Sequence, residues 1–517
     1  MRWQRFWVPS LETNNIAKGT FQITSTNAIQ YLVMGIFYIV VTKANALTPT
    51  DLGVLSILSF LTSTFSLFTL FDLPTALAKF ASESLGKDQI KEAAAIQKTA
   101  KRVVLILSIL GFAITAFSSE LISEYFWGTP TYASFIVLMA IHAFLFNLTT
   151  LYNSSLQALC LFGKMAAVTL IYIVSSRTIA AALALFHLSV PGVLTGYIAG
   201  SIIAVTVAIA YTRGRLPSST NGAPIKPLLR FSFPLFLSSL TLLVLNWADI
   251  VILASVTSNY ALVGIYRIVV SSIGVLSVVY MPVKLTILPV LSVRYGLENP
   301  KGIGEILRVA SRYLLYVMFP SCLGLAILAP TALTFFYGPD YASGATPLAL
   351  LSISVIILAL YSLLTTTLTA LGKTNQVFKI SIAKALSTIA LLIALVPFFE
   401  AVGAALTRLT VQAISLMLAI YTLQKYVKVK LDMEAIWKSA VASTATIPIL
   451  IVIEFTISRK IPVIQVLAVE ILAAASTYLL ALYILKALNS QDFELLRQAF
   501  PKALSRYINF LEGLIVQ

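Results

Sequence analysis

The chain has 517 residues, 59% of them hydrophobic and only 11% charged. A soluble protein carries roughly 25% charged residues, so this composition excludes a water-soluble globular fold and leaves a lipid bilayer as the solvent. The formal charge of +16 does not point to nucleic acid, because the basic residues recur in short loops between apolar runs, as membrane topology requires.

The N-terminal segment, 1–19, has no apolar core before Ala17, which argues against a cleavable signal peptide. Trp3, Phe6 and Trp7 among Arg2 and Arg5 read instead as an interfacial anchor. Apolar runs then predict an N-terminal bundle over 20–212, with spans at 20–42, 53–81, 102–122, 131–160, 165–187 and 191–212. A basic linker, 213–228, leads to a second bundle over 229–424, with spans at 229–254, 261–291, 309–337, 345–371, 376–399 and 401–424. Two more spans, 436–457 and 463–487, occupy 436–487 and make fourteen. In the tail, 488–517, Phe493, Leu496, Phe500, Leu504, Leu511 and Ile515 recur at helical spacing, which predicts an amphipathic segment on the inner leaflet, broken near Pro501. Pro74, Pro282 and Pro289 are expected to interrupt spans two and eight. Cys160 and Cys322 lie in apolar runs and read as packing residues. With His142 and His187 as the two histidines, no His-rich metal cluster is available and no cofactor is expected. The patterns "NLT" at Asn147 and "NSS" at Asn153 fall inside span four, where glycosylation does not reach.

The two bundles echo each other. Phe126-x-Gly128 matches Phe336-x-Gly338 at an offset of 210. Tyr132-Ala133-Ser134 matches Tyr341-Ala342-Ser343 at 209, and the "GK" ending at Lys164 matches that at Lys373 with the same 209. Gly53 pairs with Gly264, and Gly192 with Gly403, both at 211. Six spans per copy is an even number, so both copies insert the same way up, as parallel repeats. Basic loops fall on one side: Lys87, Lys91, Lys98, Lys101 and Arg102; Lys164; Arg213, Arg215, Lys226 and Arg230; Arg294, Lys301, Arg308 and Arg312; Lys373; Lys425, Lys428, Lys430 and Lys438. The opposite side shows Lys43, Arg459 and Lys460 and little else, which predicts both termini in the cytoplasm.

Charge within hydrocarbon is costly, so every ionisable residue in a span is a candidate functional residue. Arg177 falls about halfway along span five and Lys384 at mid-depth in span eleven, while Arg267 and Arg408 lie in the outer thirds of spans eight and twelve. Lys79 and Lys284 lie toward the inner ends of spans two and eight, where they either reach the headgroups or join the site. Acids are few: Asp72, Asp249, Glu454 and Glu470. Asp249 and Arg267 share a depth on neighbouring spans and either neutralise each other or serve a ligand. Gln22, Thr24, Asn27 and Gln30 form a polar stripe on span one, suited to sugar hydroxyls or to interhelical hydrogen bonds. Deep cations facing a water-filled cavity attract an anion, and an arginine fork suits phosphate oxygens.

Four stretches resemble the polysaccharide (Wzx-like) flippases of the multidrug/oligosaccharidyl-lipid/polysaccharide exporter superfamily. They are "LFDLPTALAKFASESLGK", "FYGPDYASGATPLALLS", "TALGKTNQVFKISIAKA" and "AVGAALT". The resemblance covers spans one to twelve well and the last two loosely. It implies an all-α, polytopic membrane protein of the cell (cytoplasmic) membrane. Two parallel-repeat six-helix bundles would follow a V-shaped, alternating-access plan, with two extra C-terminal helices. The implied cargo is a lipid-linked oligosaccharide on an undecaprenyl- or dolichyl-type carrier, moved from the inner to the outer leaflet by a monomer. Membrane lipids and glycosyltransferases of the same pathway are the implied partners. On that reading Arg177, Arg267, Lys384 and Arg408 converge on one cavity and bind the pyrophosphate, with Lys79 and Lys284 nearer the inner surface and the span-one amides meeting the sugars. Asp249 would hold Arg267 in check or couple transport to a gradient. Two other classes compete. A cation-coupled multidrug exporter of the same superfamily needs acids in its first bundle, and span one has no carboxylate. An integral-membrane glycosyltransferase or ligase needs catalytic acids on a sizeable outer loop, and no DxD motif occurs. The sequence therefore reads as a transporter and not an enzyme.

Overall fold

A computed structural model describes residues 13–217, 222–296, 300–429, 431–457 and 463–487. The anchor expected at Trp3, Phe6 and Trp7, the pair Arg459 and Lys460, and the amphipathic tail all lie outside the described residues. Every regular element described is a helix, as a bilayer demands of a backbone that must satisfy its own polar groups.

In chain order the helices are α1 (Thr13–Lys43), α2 (Pro49–Leu70), α3 (Leu73–Gly86), α4 (Ile90–Phe117), α5 (Ser119–Trp127), α6 (Ala133–Ala158), α7 (Phe162–Leu183) and α8 (Ser189–Thr212). They continue with α9 (Ile225–Thr257), α10 (Tyr260–Ile273), α11 (Ser277–Gly296), α12 (Pro300–Ile327), α13 (Ala329–Tyr337), α14 (Ala345–Ala370), α15 (Thr374–Gln424), α16 (Met433–Thr444), α17 (Thr446–Ile457) and α18 (Val463–Ile484). Twelve apolar segments are long enough to cross a membrane, and two of them, Phe162–Thr212 and Thr374–Gln424, run for 51 residues each. Each of these two folds at a non-helical residue, Ser189 in the first and Glu400 in the second, so each supplies two crossings. The described residues thus contain the fourteen spans expected.

The repeat is visible in the backbone itself. Ser189 (φ 44°, ψ −133°) and Glu400 (φ 48°, ψ −124°) adopt the same unusual conformation, 211 residues apart. Helices α5 and α13 have nine residues each and end at Gly128 and Gly338, at φ +67° and +112°. Helices α6 and α14 have 26 residues each. Local register nevertheless departs from the sequence echoes. The corner between α5 and α6 is a 3₁₀ turn of three residues, Pro130–Tyr132, whereas its counterpart Pro339–Gly344 has six. From there α6 and the start of α7 run at an offset of 212 from α14 and the start of α15. Cys160 and Gly372, both at positive φ, are the equivalent turn residues, so Lys164 lies inside α7 while Lys373 precedes α15. The "GK" and "YAS" matches are therefore three residues out of structural register.

Two helix breaks were expected at prolines. In span two the break comes at Phe71 and Asp72, both left-handed, with Pro74 in the first turn of α3, where its missing N–H is harmless. Span eight corrects the expectation. It breaks at the 3₁₀ turn Gly274–Leu276, and α11 then runs unbroken through Pro282 and Pro289.

By contacts the described chain divides into two compact units. The first takes Met1–Val275 with Ala385–Ala404, and the second takes Leu276–Lys384 with Ala405–Gln517. In the first unit the basic loops gather at one end. There the Ser82 hydroxyl donates to the Ala158 carbonyl, Thr99 to that of Ala223, and Lys79 sits over the Phe80 and Phe231 rings. At the opposite end Tyr260 donates to the Phe126 carbonyl and packs on Trp127. In the second unit, the last two spans are fastened to α12. The Tyr316 hydroxyl and the Arg312 guanidinium both donate to the Ala487 carbonyl, at 2.7 and 3.0 Å. Lys438 donates to the Lys486 carbonyl beside it, so two cations sit at the negative end of α18.

A candidate cationic cavity

A cavity of about 200 Å³ lies within the first unit, walled by α2, α6, α7, α8, α9 and α10. Its α2 wall is Leu55, Leu58, Ser59, Thr62 and Ser63, at the spacing of one helical face. The hydroxyls of Ser59, Thr62 and Ser63 donate to carbonyls one turn back, at 2.7, 3.0 and 2.9 Å. They therefore present oxygen lone pairs to the space, and donors must come from elsewhere.

The donors are two arginines. Arg177 is placed by the packing of α7 on α8. A Cβ at Gly196 would lie 2.4 Å from the Ala180 Cα, and one at Gly200 would lie 2.5 Å from the Ser176 Cα. Because both glycines lack that atom, the two backbones meet closely. Next to Ser176 on that tightly packed helix, Arg177 lays its guanidinium 4.2 Å from the Tyr197 ring and 5.3 Å from that of Phe37. Arg267 enters from α10 and lies 4.9 Å from the Trp247 ring of α9. Rings that face a cation offset part of its desolvation. Opposite them, buried His142 of α6 makes a 3.1 Å hydrogen bond with the Tyr172 hydroxyl, and Phe146 packs on the same tyrosine. No Asp or Glu lines the cavity among the described residues. Two guanidinium groups, aromatic faces and no carboxylate make a space that favours an anion.

The other sequence candidates are placed as follows. Asp249 is buried on α9, where it accepts hydrogen bonds from the Tyr266 hydroxyl (2.8 Å) and the Ile250 amide (2.9 Å). Tyr266 is the residue before Arg267 and fully buried, so this bond fixes α10 against α9 at the level of the arginine. Lys384 and Arg408 belong to the second unit, both on α15. There Lys384 donates to Gln412 at 2.9 Å and lies 4.7 Å from the Tyr361 ring. Lys284 is exposed on α11, and Lys79 is exposed on α3 over its two rings. Asn27 and Gln30 are exposed on α1, and the Gln22 side chain lies outside the described residues. Of the four cations expected to meet, the structure brings Arg177 and Arg267 together in one cavity. Sequence reasoning missed His142, Tyr172, Tyr197 and Trp247. Their signal was weak, because aromatic residues recur throughout membrane spans.

Every residue lining this cavity falls within 16–293, the stretch that matches the family model "Polysaccharide biosynthesis protein". The chain belongs to that family. A curated relative, the probable flippase AglR of Haloferax volcanii, is 27% identical over 267 residues. The match covers 50% of this chain and 54% of AglR, about half the length of each. In fold, the chain is similar to the lipid II flippase MurJ in an inward closed conformation, with a TM-score of 0.72 and 17% identity over 89% of this chain and 98% of MurJ. It is also similar to an inward-facing multidrug resistance MATE family transporter of the MOP superfamily, with a TM-score of 0.58 and 14% identity over 77% and 96% of the two chains. At such identities the likeness is one of fold. The resemblance to Wzx-like flippases read from the sequence holds at the level of family and fold.

Proposed function

We propose that this protein flips a lipid-linked oligosaccharide of the polyprenyl-pyrophosphate type from the inner to the outer leaflet by alternating access. The acid-free cavity with Arg177 and Arg267 carries this reading. A pyrophosphate crossing the bilayer exchanges its water for other donors, and two guanidinium groups in a low-dielectric space supply them. Lys384 and Arg408 extend the cationic path in the second bundle. Lys284 and Lys79 serve nearer the inner surface, and Gln22, Asn27 and Gln30 meet the sugars. Asp249 holds α10, and with it Arg267, in position. In this reading the bundles 20–212 and 229–424 rock against each other, while 436–487 is accessory. The protein is a monomer of the cytoplasmic membrane with both termini inside, and it receives cargo from glycosyltransferases of the same pathway. It is a transporter and not an enzyme. A multidrug exporter driven by cations would need a carboxylate where this cavity has arginines.

The test is reconstitution. Vesicles containing the protein and a fluorescent polyprenyl-pyrophosphate oligosaccharide should equilibrate the lipid between leaflets, and inorganic pyrophosphate should compete. Transbilayer movement no faster than in protein-free vesicles, with the protein folded and inserted, would refute the proposal.

A further inference from the structure

The second unit holds a larger space than the cationic cavity, a trough of about 570 Å³ between α11 and α12. Its α11 wall is Val283, Thr286, Val290 and Arg294, at the spacing of one helical face. On α12 the wall includes Gly302 and Ala310, whose small side chains leave the gap open. Both helices turn their buried sides to α14, through Leu291, Leu307 and Leu364, so the trough opens away from that helix. At about 1.5 Å per residue, α11 rises about 16 Å from Val283 to Arg294, half of the roughly 30 Å hydrocarbon core. The trough therefore has the depth of a single leaflet.

Apolar walls alone select nothing in a bilayer, because lipid chains are as apolar as the trough. Selection falls to its two charges, and both lie where α11 ends and α12 begins. Arg294 is in the last turn of α11, and Glu305 is near the start of α12. Both are exposed, and no ion pair joins them among the described residues. Arg308, one turn further along α12, lies 3.5 Å from Asp432. An arginine fork takes a phosphate, whereas a carboxylate repels a phosphate and accepts hydrogen bonds from an ammonium. A headgroup that satisfies both must carry both signs, which a pyrophosphate does not. We propose that the trough seats one chain of an amine-bearing phospholipid, of the phosphatidylethanolamine type, from the leaflet on the basic-loop side. Its phosphate meets Arg294 and its ammonium meets Glu305. This lipid is a resident part of the wall between α11 and α12, distinct from the cargo. The inference requires the chain to lie in a bilayer and is independent of the flipping assignment.

A photoreactive lipid tests the proposal without a transport assay. The full chain is reconstituted in phosphatidylcholine vesicles with a trace of phosphatidylethanolamine carrying a diazirine in one chain. After illumination, adducts should concentrate on peptides within 283–310. Unlabelled phosphatidylethanolamine should displace the probe at a mole fraction about tenfold lower than phosphatidylglycerol or a polyprenyl pyrophosphate does. Glu305→Gln should bring phosphatidylethanolamine and phosphatidylglycerol to equal effect, and Arg294→Gln should lower adduct yield about tenfold. Ala310→Phe fills the trough and should remove the adducts. If that variant does not fold, the two changes at exposed positions carry the test. Adducts spread evenly over the helices overturn the proposal, as does an unchanged lipid preference in Glu305→Gln. Displacement in the parent protein by phosphatidylglycerol as readily as by phosphatidylethanolamine overturns it too. Tighter displacement by the polyprenyl pyrophosphate would instead assign the trough to the cargo's tail.

Discussion

Replacing Arg177 by alanine separates the functional from the structural reading of the cavity. In the function proposed above, the guanidinium would supply charge-assisted hydrogen bonds to a bound phosphate, each worth about 1.5–3 kcal/mol. At about 1.4 kcal/mol per tenfold, losing one weakens cargo binding roughly 10- to 150-fold. Folding responds differently. The variant loses ring contacts at 4.2 and 5.3 Å, worth about 0.5–2 kcal/mol. It also removes one of two like charges that share a 200 Å³ space, which acts in the opposite direction. The expected outcome is a melting midpoint that moves little, with flipping in reconstituted vesicles reduced by at least tenfold. Arg177→Lys keeps the charge but loses the planar fork, so it should fall between. A stable Arg177→Ala protein that flips at the parent rate refutes the argument. A midpoint that collapses together with activity would show the arginine to be structural.

Gly200→Val inserts bulk where even a Cβ would lie 2.5 Å from Ser176, so it should cost about 1–3 kcal/mol and displace Arg177. Thermal unfolding should show the loss, with Gly200→Ala milder. Tyr316→Phe removes a 2.7 Å hydrogen bond to the Ala487 carbonyl at a buried site while Arg312 still donates to that carbonyl, a loss of about 0.5–1.5 kcal/mol. Hydrogen exchange over 433–487 should accelerate while the helices of the first unit are unaffected. Ser134→Cys and Ser343→Cys lie at exposed, repeat-related corners, so an impermeant thiol reagent should label both from outside intact cells. Labelling of one without the other would contradict parallel insertion.

The fourteen spans were legible because a bilayer imposes its thickness on the sequence: an apolar run of about 20 residues has few alternatives to a helix. The repeat was legible from Gly128 and Gly338, whose aromatic neighbours and positive φ recur at one offset. The register beyond them was not, because the second corner has a longer 3₁₀ turn and no residue type marks its extra length. Arg177 and Arg267 stood out as charges in hydrocarbon, and the structure places both in one cavity. What they face was hidden. In a soluble helix the apolar stripe identifies the inner side, but α7 and α8 are apolar all round, so Tyr172 and Tyr197 carried no mark of direction. The break in span eight was hidden for a related reason: Gly274 allows it locally, whereas Pro282 and Pro289 advertise kinks the packed helix does not make.

Buried in the first unit, the Asn147 amide of α6 donates to the Thr69 hydroxyl of α2 at 2.6 Å and the Ser108 hydroxyl of α4 at 3.2 Å. An amide at mid-span is a poor passenger in lipid alone, because its donors find no acceptor among acyl chains. Both acceptors precede Asn147 in the chain, so ribosomal synthesis presents them first. By the time α6 leaves the insertion machinery, the two helices that accept from its amide nitrogen are already made, and the first copy can assemble in N- to C-terminal order without stranding those two donors in the membrane.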